Sequence, residues 1–497
     1  MEYSNFTEET SGGLKKALNI IPGKIKKIHL MGICGTAMAS LAGILKEEGY
    51  FITGSDQNVY PPMSVLLNDM GIDIMKGYSE KNLDDLPDLV VVGNVITGKN
   101  PEAVRLSELG IPYISLPQAL RYFAMGKRKS IVISGTHGKT TTSSLCAWLL
   151  ETAGIDPGYM IGGVLNNFKS NFKRGSGNYY VIEGDEYDTA FFDKGPKFLH
   201  YAPFITVITS IEFDHADIYR DLDHVISSFR KLIELIPENG LLVANGDDPV
   251  IVEESKRAKC PVKFYGFSKG LEWQALDIVN SGDETSVRII HNDREYIKVS
   301  GPMFGKHNIS NLLSVVAVSE FIGINPESIA GAVRTFKGVK RRQEIRGEKN
   351  GVLVLDDFAH HPTAVMKTID AVRDKYRDRR LAAVFEPRSN SSRRGIFQQQ
   401  YGMAFDRADL VFIPEPPLME KVPADDRFSS ADLVKTLSKK GISAHYYETA
   451  DQLLDGIIKK TLPGDVVLIM SNGSFDNIHE KLLERLGSAL PEAGSKC

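Results

Sequence analysis

The run Gly135-Thr136-His137-Gly138-Lys139-Thr140-Thr141 sits between a short apolar stretch, residues 130–134, and a helix-patterned stretch that reaches residue 150. A glycine-rich turn at that junction requires a buried strand that stops abruptly and a helix that starts at once. The same succession recurs along the chain. Residues 25–32, 51–54 and 89–92 read as strands in a first segment, with helices over 37–48 and 101–109. Residues 179–182 and 205–211 follow in the second, and 352–355, 381–385, 410–413 and 466–470 in the third. Strands and helices alternating at this pace predict α/β domains built on parallel, doubly wound sheets. Between residues 260 and 299 the pattern turns to strict alternation, as in 286–290, and predicts antiparallel strands inserted on the central core.

Length divides the pattern. At about 150 residues per domain, 497 residues give three domains. Basic stretches at Lys127-Arg128-Lys129 and Lys340-Arg341-Arg342 fall where the pattern restarts, so the expected boundaries are an extension over 1–24 and domains over 25–126, 127–338 and 339–497. The tail 490–497 is small and polar and is expected to be loose. Lys plus Arg number 59 against 63 Asp plus Glu, a net charge of −4, which argues against a chain that lives on nucleic acid. Four scattered cysteines, Cys34, Cys146, Cys260 and Cys497, form no metal motif and no disulfide framework. The first twenty residues lack an apolar core of the signal-peptide kind, and no apolar run is long enough to span a bilayer. A cytoplasmic protein is expected.

Chemistry gathers where strands end. The turn 135–141 points backbone N–H groups and a helix N-terminus at a phosphate chain. Lys139 is placed to reach the outer phosphates and the Thr140 hydroxyl to ligate Mg²⁺. The loop is shorter than the general phosphate-loop pattern, which would have glycine where this chain has Ile133. Glu183, Asp185, Glu186 and Asp188 follow the strand at 179–182, and a carboxylate there suits a second contact to a hard cation. Glu212, Asp214, His215 and Asp217 follow the next strand. Such convergence on one sheet edge matches where open α/β sheets bind ligands.

Two further groups lie outside the central segment. Gly32-Ile33-Cys34-Gly35-Thr36, with Asp56 downstream, is similar to a dinucleotide fingerprint that lacks its third glycine. It supports a diphosphate at a helix N-terminus, or a tight turn with no ligand, and argues against nicotinamide binding. The third segment ends its strands on Asp356-Asp357-Phe358-Ala359-His360-His361-Pro362, on Glu386-Pro387-Arg388-Ser389-Asn390 and on Ser471-Asn472-Gly473. Arg388 can hold a carboxylate through its fork, and the same loops can simply cap helices.

Together these motifs resemble the Mur ligases, ATP-dependent enzymes that join an amine to a carboxylate. The shortened loop 135–141, Gly305-Lys306-His307-Asn308 with Asn311, then Arg341-Arg342, then Asp356-Asp357 match the family signatures in order, and the resemblance spans residues 26–486. It implies a three-domain architecture, with a Rossmann-like first domain, a P-loop ATPase-like centre and a Rossmann-like third domain. It implies an acyl-phosphate route with Mg²⁺ as cofactor. Gly135, Thr136, His137, Gly138, Lys139, Thr140, Thr141, Asn308, Asn311, Arg342 and Asp357 would hold ATP. Thr140, Glu183 and His215 would contact the metal, with Lys139, His215 and Arg342 catalytic. Gly32, Ile33, Cys34, Gly35, Thr36 and Asp56 would hold UDP-N-acetylmuramate, and Arg388, Ser389 and Asn390 a peptide. Within the family, Glu186-Tyr187-Asp188, Asp357-Phe358-Ala359-His360-His361 and residues 386–390 favour the branch that adds the tripeptide L-alanyl-γ-D-glutamyl-meso-diaminopimelate, in cell-wall peptide recycling. The alternative is the branch that adds L-alanine in de novo synthesis. The chain differs from the family pattern in having Gly184-Asp185 for Ala-Asp, and Ser391-Ser392-Arg393-Arg394 for a Thr-Met-Lys-type run.

Overall fold

The structure, a computed structural model, describes residues 10–488 apart from 12 and 62. Cys497 and the tail 490–497 lie outside the described residues. The other three cysteines are free.

Each of the three segments folds around a largely parallel sheet. In the first, the strands run Asp73–Lys76, Phe51–Asp56, Lys27–Met31, Leu89–Val92 and Tyr113–Ser115 across the sheet, all parallel. Lys27–Met31 is central, and Ile28, Leu30 and Met31 have no solvent exposure, which is why that strand reads as largely apolar, interrupted by the buried His29. Helix Pro101–Leu109 shows how local sequence sets its bounds. The Asn100 side chain accepts the Glu102 N–H, Pro101 opens the first turn, and Gly110 ends it at φ 63°. The expected extension 1–24 is not separate where it is described: Leu14 is buried, Asn19 donates to Tyr113 O (3.0 Å) and the Tyr113 hydroxyl donates to Lys15 O (3.2 Å), all on the first domain.

The central domain carries a ten-stranded sheet. Strands Gly158–Leu165, Tyr179–Gly184, Lys129–Ser134, Pro203–Ile208, Leu241–Asn245, Val262–Gly266 and Trp273–Ser281 are parallel. The strand expected over 205–211 stops at Ile208, which leaves Thr209–Ser210 free to fold over the phosphate loop. The antiparallel strands expected as an insertion are instead the continuation of the same sheet: Trp273–Ser281, Glu284–His291 and Arg294–Gly301 extend its edge. Helices Lys139–Thr152 and Lys306–Ile322 pack together on one face.

The third domain has six strands. Val352–Asp357, Val466–Met470, Leu381–Phe385, Leu410–Pro414 and Ser443–Tyr447 are parallel, and Glu344–Lys349 is an antiparallel edge.

The first two domains share a packed interface. Gly43 has no room for a side chain, since a Cβ would stand 2.7 Å from the Phe172 ring, and the buried Asn171 amide donates to Ser40 Oγ (2.9 Å).

Candidate active site

The phosphate loop is shaped by two glycines that no other residue can replace without strain. Gly135 has φ 131°, and a Cβ there would stand 2.9 Å from Ser210 N. Gly138 has φ 81°, and a Cβ there would stand 2.6 Å from Asn311 Oδ1. The loop backbone is fixed by Ser210, whose carbonyl accepts the Thr136 N–H (2.9 Å) and whose hydroxyl accepts the His137 N–H (3.0 Å). Helix Lys139–Thr152 then starts on Gly138 with no side-chain cap, so its first N–H groups remain free for an anion.

Charge is concentrated just beyond the loop. Lys139 Nζ donates to Gly135 O (2.7 Å) and pairs with Glu186 (2.8 Å), whose side chain is only 3% exposed. Burial opposes the Lys139 charge, but Glu186 and Asp185 more than compensate and hold its pKa above the ordinary lysine value. Glu186 also meets His215 Nε2 (3.1 Å). Burial alone would discharge His215, yet the bond to Glu186 and the nearby Asp214 raise its pKa above the usual imidazole value. Asp185 pairs with Lys197 (2.7 Å); despite burial, Lys197 and Lys139 bring it down to about 2. Thr140 Oγ1 donates to Glu183 Oε2 (3.1 Å), and Gly162 N–H donates to Glu183 Oε1 (2.7 Å). Burial raises the Glu183 pKa in spite of these bonds and of the positive charge of Lys139.

Thr140 and Glu183 are therefore a pair of hard oxygen donors at the loop exit, a set that fits Mg²⁺. His215 is turned to Glu186 rather than to that pair. It sits at φ 55°, in a loop held by the Asp214 carboxylate (2.7 Å) and the Ser391 hydroxyl (3.0 Å), both accepting its N–H.

Asn308 and Asn311 stand at the start of helix Lys306–Ile322. Asn308 donates to Phe304 O (2.7 Å), and the buried Asn311 packs its amide against Gly138. From the third domain, Arg342 Nη2 donates to Thr140 Oγ1 (3.3 Å) and the guanidinium lies 4.8 Å from the centre of the Phe358 ring. Asp357 is bound by the N–H groups of Gln343 (2.8 Å) and Ala359 (2.8 Å), so it braces the loop that carries Arg342. Burial raises its pKa, with Arg342 working against that.

In the first domain, Gly32 turns the chain at φ 83° and donates its N–H to Ser55 O (2.8 Å). Asp56 accepts the Cys34 N–H (2.9 Å), so its carboxylate organises the turn from within. Burial and Asp56 push the Cys34 thiol up to about 11, which keeps it protonated. Helix Thr36–Glu47 starts on Gly35 with no side-chain cap, a second open helix N-terminus.

Of the proposed peptide contacts, Arg388 meets Glu386 (3.3 Å). Asn390 donates to Asp217 (2.8 Å), and Ser389 accepts the Ser392 N–H (2.9 Å). With Ser391 on His215 and Arg394 on Ala216 O (2.6 Å), the stretch 388–394 is also the latch between third and central domains.

One cleft of 2230 Å³ unites these groups: Thr36, Lys139, Glu183, Asn311, Arg342 and Arg388 all line it. Sequence reasoning missed Glu186 as the partner of Lys139, Lys197 as the partner of Asp185, and Ser391 as the anchor of the His215 turn. Only Glu186 carried a signal, its place in the acidic turn after a buried strand.

Three α/β domains bring a phosphate loop, buried carboxylates and arginines into one cleft, the equipment of an enzyme that handles phosphate-bearing substrates. Three family models match the chain in order: the Mur ligase family catalytic domain over residues 27–128, the Mur ligase middle domain over 133–319, and the Mur ligase glutamate ligase domain over 341–473. The UDP-N-acetylmuramate–L-alanyl-γ-D-glutamyl-meso-2,6-diaminoheptandioate ligase of Escherichia coli K12 is 39% identical over 93% of this chain and 98% of its own. The UDP-N-acetylmuramate–L-alanine ligase of Clostridium tetani is 33% identical over 91% of this chain and 96% of its own. A crystal structure of a murein peptide ligase from Psychrobacter arcticus superposes with a TM-score of 0.69 at 34% identity, covering 94% of this chain and all of that one. The chain belongs to the Mur ligase family of ATP-dependent, amide-forming enzymes.

Proposed function

We propose that this ligase joins the free amine of L-alanyl-γ-D-glutamyl-meso-diaminopimelate to the carboxylate of UDP-N-acetylmuramate, converting ATP to ADP and phosphate. The observation that carries this reading is the single cleft that runs from the turn at Thr36, past Lys139 and Glu183, to Arg388. It offers one anion site per domain, as a UDP-sugar, a nucleotide triphosphate and an acidic peptide require. The higher identity to the tripeptide ligase of Escherichia coli than to the alanine ligase of Clostridium tetani supports the tripeptide.

A carboxylate is a poor electrophile and has to be activated. Its oxygen attacks the γ-phosphorus, ADP leaves, and an acyl phosphate forms; the peptide amine then attacks the acyl carbon, losing a proton, and phosphate departs. The transferred group carries spread negative charge, and Lys139 and Arg342, both lining the cleft beside Thr140, would neutralise it. Mg²⁺, when bound by Thr140 and Glu183, would neutralise phosphate oxygens. Gly138 lets backbone N–H groups approach the phosphates, and Asn308 and Asn311 line the nucleotide side. His215, which Glu186 holds, would contact the acyl phosphate. The turn 32–36 takes the UDP diphosphate on its open helix N-terminus, and Arg388 takes a carboxylate of the peptide. Closing the third domain on the central one keeps water from the acyl phosphate. ATP and a UDP-sugar are cytoplasmic reagents, so the reaction belongs there, in the reuse of cell-wall peptides.

The test is incubation of the enzyme with ATP and UDP-N-acetylmuramate plus either the tripeptide or L-alanine, following phosphate release and product mass. The tripeptide adduct is expected; an alanine adduct alone would overturn the assignment. Lys139→Ala should abolish ligation, and near-normal turnover would remove Lys139 from its role.

A further inference from the structure

Where the phosphate loop meets the third domain, three side chains from three distant parts of the sequence converge: His137 in the loop, Glu212 after strand Pro203–Ile208, and His361 at the start of helix Pro362–Lys375. One ligating atom from each lies within 4.8 Å of the others. We propose that these three residues bind a divalent transition ion, zinc foremost, which clasps the phosphate loop to the third domain.

The geometry is close to that of a metal site. His137 Nε2 is 3.4 Å from Glu212 Oε2, and His361 Nδ1 is 3.8 Å from the same oxygen. Zinc bonds of about 2.0–2.1 Å at tetrahedral angles put neighbouring ligand atoms roughly 3.3–3.5 Å apart, so the two carboxylate edges already fit or nearly fit, and the two nitrogens, within 4.8 Å of each other, close up around the ion. Two of the three ligands, His361 and Glu212, are oriented by neighbours of the kind that support metal ligands. His361 Nε2 faces the Phe213 carbonyl (3.2 Å), the partner a protonated Nε2 takes, which makes Nδ1 the acceptor; that lone pair now caps the helix by accepting the Thr363 N–H, and a bound ion takes its place. The only polar contact on Nδ1 besides the carboxylate, among the described residues, is the Thr363 N–H at 3.3 Å. Thr363 Oγ1 donates to Glu212 Oε2 (2.6 Å) and pins the carboxylate. His137 Nε2 is shielded from solvent and has no hydrogen-bond partner, an orphan nitrogen beside a carboxylate. The two imidazole rings lie 4.7 Å apart at 43°, converging on the shared oxygen.

The donor set separates this site from the Thr140–Glu183 pair. Two imidazoles and one carboxylate suit zinc and its neighbours in the transition series, whereas Mg²⁺ prefers oxygen alone. His137 and Glu212 line the cleft, so the fourth position is open to water or to a ligand there. Because His361 comes from the third domain and the other two ligands from the central one, a bound ion favours the docked arrangement of the two.

The experiment uses the full-length protein stripped with chelator. It is dialysed against Zn²⁺ in excess Mg²⁺ and counted for metal, and titrated with Co²⁺ while visible d–d absorption is followed. One zinc per chain is expected, retained against millimolar Mg²⁺, with intense cobalt bands of a low-symmetry, tetrahedral-like site. His361→Ala and His137→Gln should each weaken cobalt binding by about tenfold or more, and Glu183→Gln should leave it intact. Circular dichroism and thermal unfolding of both variants check the fold, and either folded variant carries the test. No stoichiometric zinc, displacement by Mg²⁺, or binding that survives His361→Ala and His137→Gln would each overturn the proposal. None of these readouts depends on ligase turnover, so they stand apart from the test of the reaction.

Discussion

Replacing Lys139 with Met strands a carboxylate, and the consequence can be worked out from the structure. Glu186 is 3% exposed and stands 2.8 Å from the Lys139 ammonium; once that is gone, its remaining partner is His215 at 3.1 Å. Removing one member of a buried ion pair costs about 3–5 kcal/mol, most of it the uncompensated charge left behind. For a domain of this size each kcal/mol moves the melting temperature by about 2–4 °C, so the central-domain transition should fall by roughly 6–20 °C. Without Lys139 the Glu186 pKa rises, and a carboxyl whose folded pKa is raised regains stability as pH falls through that value. The deficit of Lys139→Met should therefore shrink as the pH is lowered from neutral. Adding Glu186→Gln removes the stranded charge altogether and should restore more than half of the loss, while ligation stays absent because the phosphate-facing cation is still missing. Thermal unfolding by circular dichroism reads the first effect and phosphate release the second. A double variant that melts no higher than Lys139→Met, or a Lys139→Met protein that melts like the unmutated one, would refute this reading of the pair.

Three other expectations follow from single contacts. Gly138→Ala forces a left-handed backbone on a residue with a Cβ and drives that carbon to within 2.6 Å of Asn311 Oδ1; the backbone strain alone costs about 1–2 kcal/mol, and KM for ATP should rise about tenfold or more, measured by coupled ADP release. Asp185→Asn should lower stability at neutral pH by exposing Lys197 to burial without a counter-charge. Because the folded Asp185 pKa is depressed to about 2, the difference from the unmutated protein should be full above about pH 4 and vanish as pH falls toward 2 in thermal scans. Arg342→Lys keeps the charge but loses the planar contact with Phe358 and the reach to Thr140, so kcat should fall about tenfold in steady-state assays while the melting temperature holds.

The sequence exposed what short-range physics controls. Fully buried parallel strands such as Leu89–Val92 and Val466–Met470 are runs of apolar residues without alternation, and they were legible as such. Edge strands were not: Glu344–Lys349 and Ser443–Tyr447 are half-exposed, carry charge or polar groups, and look like loops. The same division holds in the cleft. Residues 135–141 announce themselves because backbone geometry dictates glycine at Gly135 and Gly138. The pairing of Lys139 with Glu186 spans 47 positions and that of Thr363 with Glu212 spans 151, and no local spacing rule reports contacts set by which strands lie side by side. Asp56 and Asn390 show the converse limit. Both are residue types that bind ligands, yet each spends its side chain on the protein, Asp56 on the Cys34 N–H and Asn390 on Asp217.

The way the third domain is held bears on why the chemistry needs it. Among the contacts by which its loops reach the central domain are Arg342 on Thr140, Ser391 on the His215 turn, and His361 beside His137 and Glu212. Each contact lands on, or next to, a residue assigned to the phosphates in the proposed mechanism. In the proposed mechanism, docking of the third domain and assembly of the charge-stabilising groups would be one event, because Arg342 would oppose the transferring phosphoryl group only when its domain is seated. On the proposed reading, an enzyme with its third domain unseated would lack Arg342 at Thr140 and so would be poorly equipped to form an acyl phosphate that water could destroy. Coupling the cation supply to closure protects the intermediate without a separate gate.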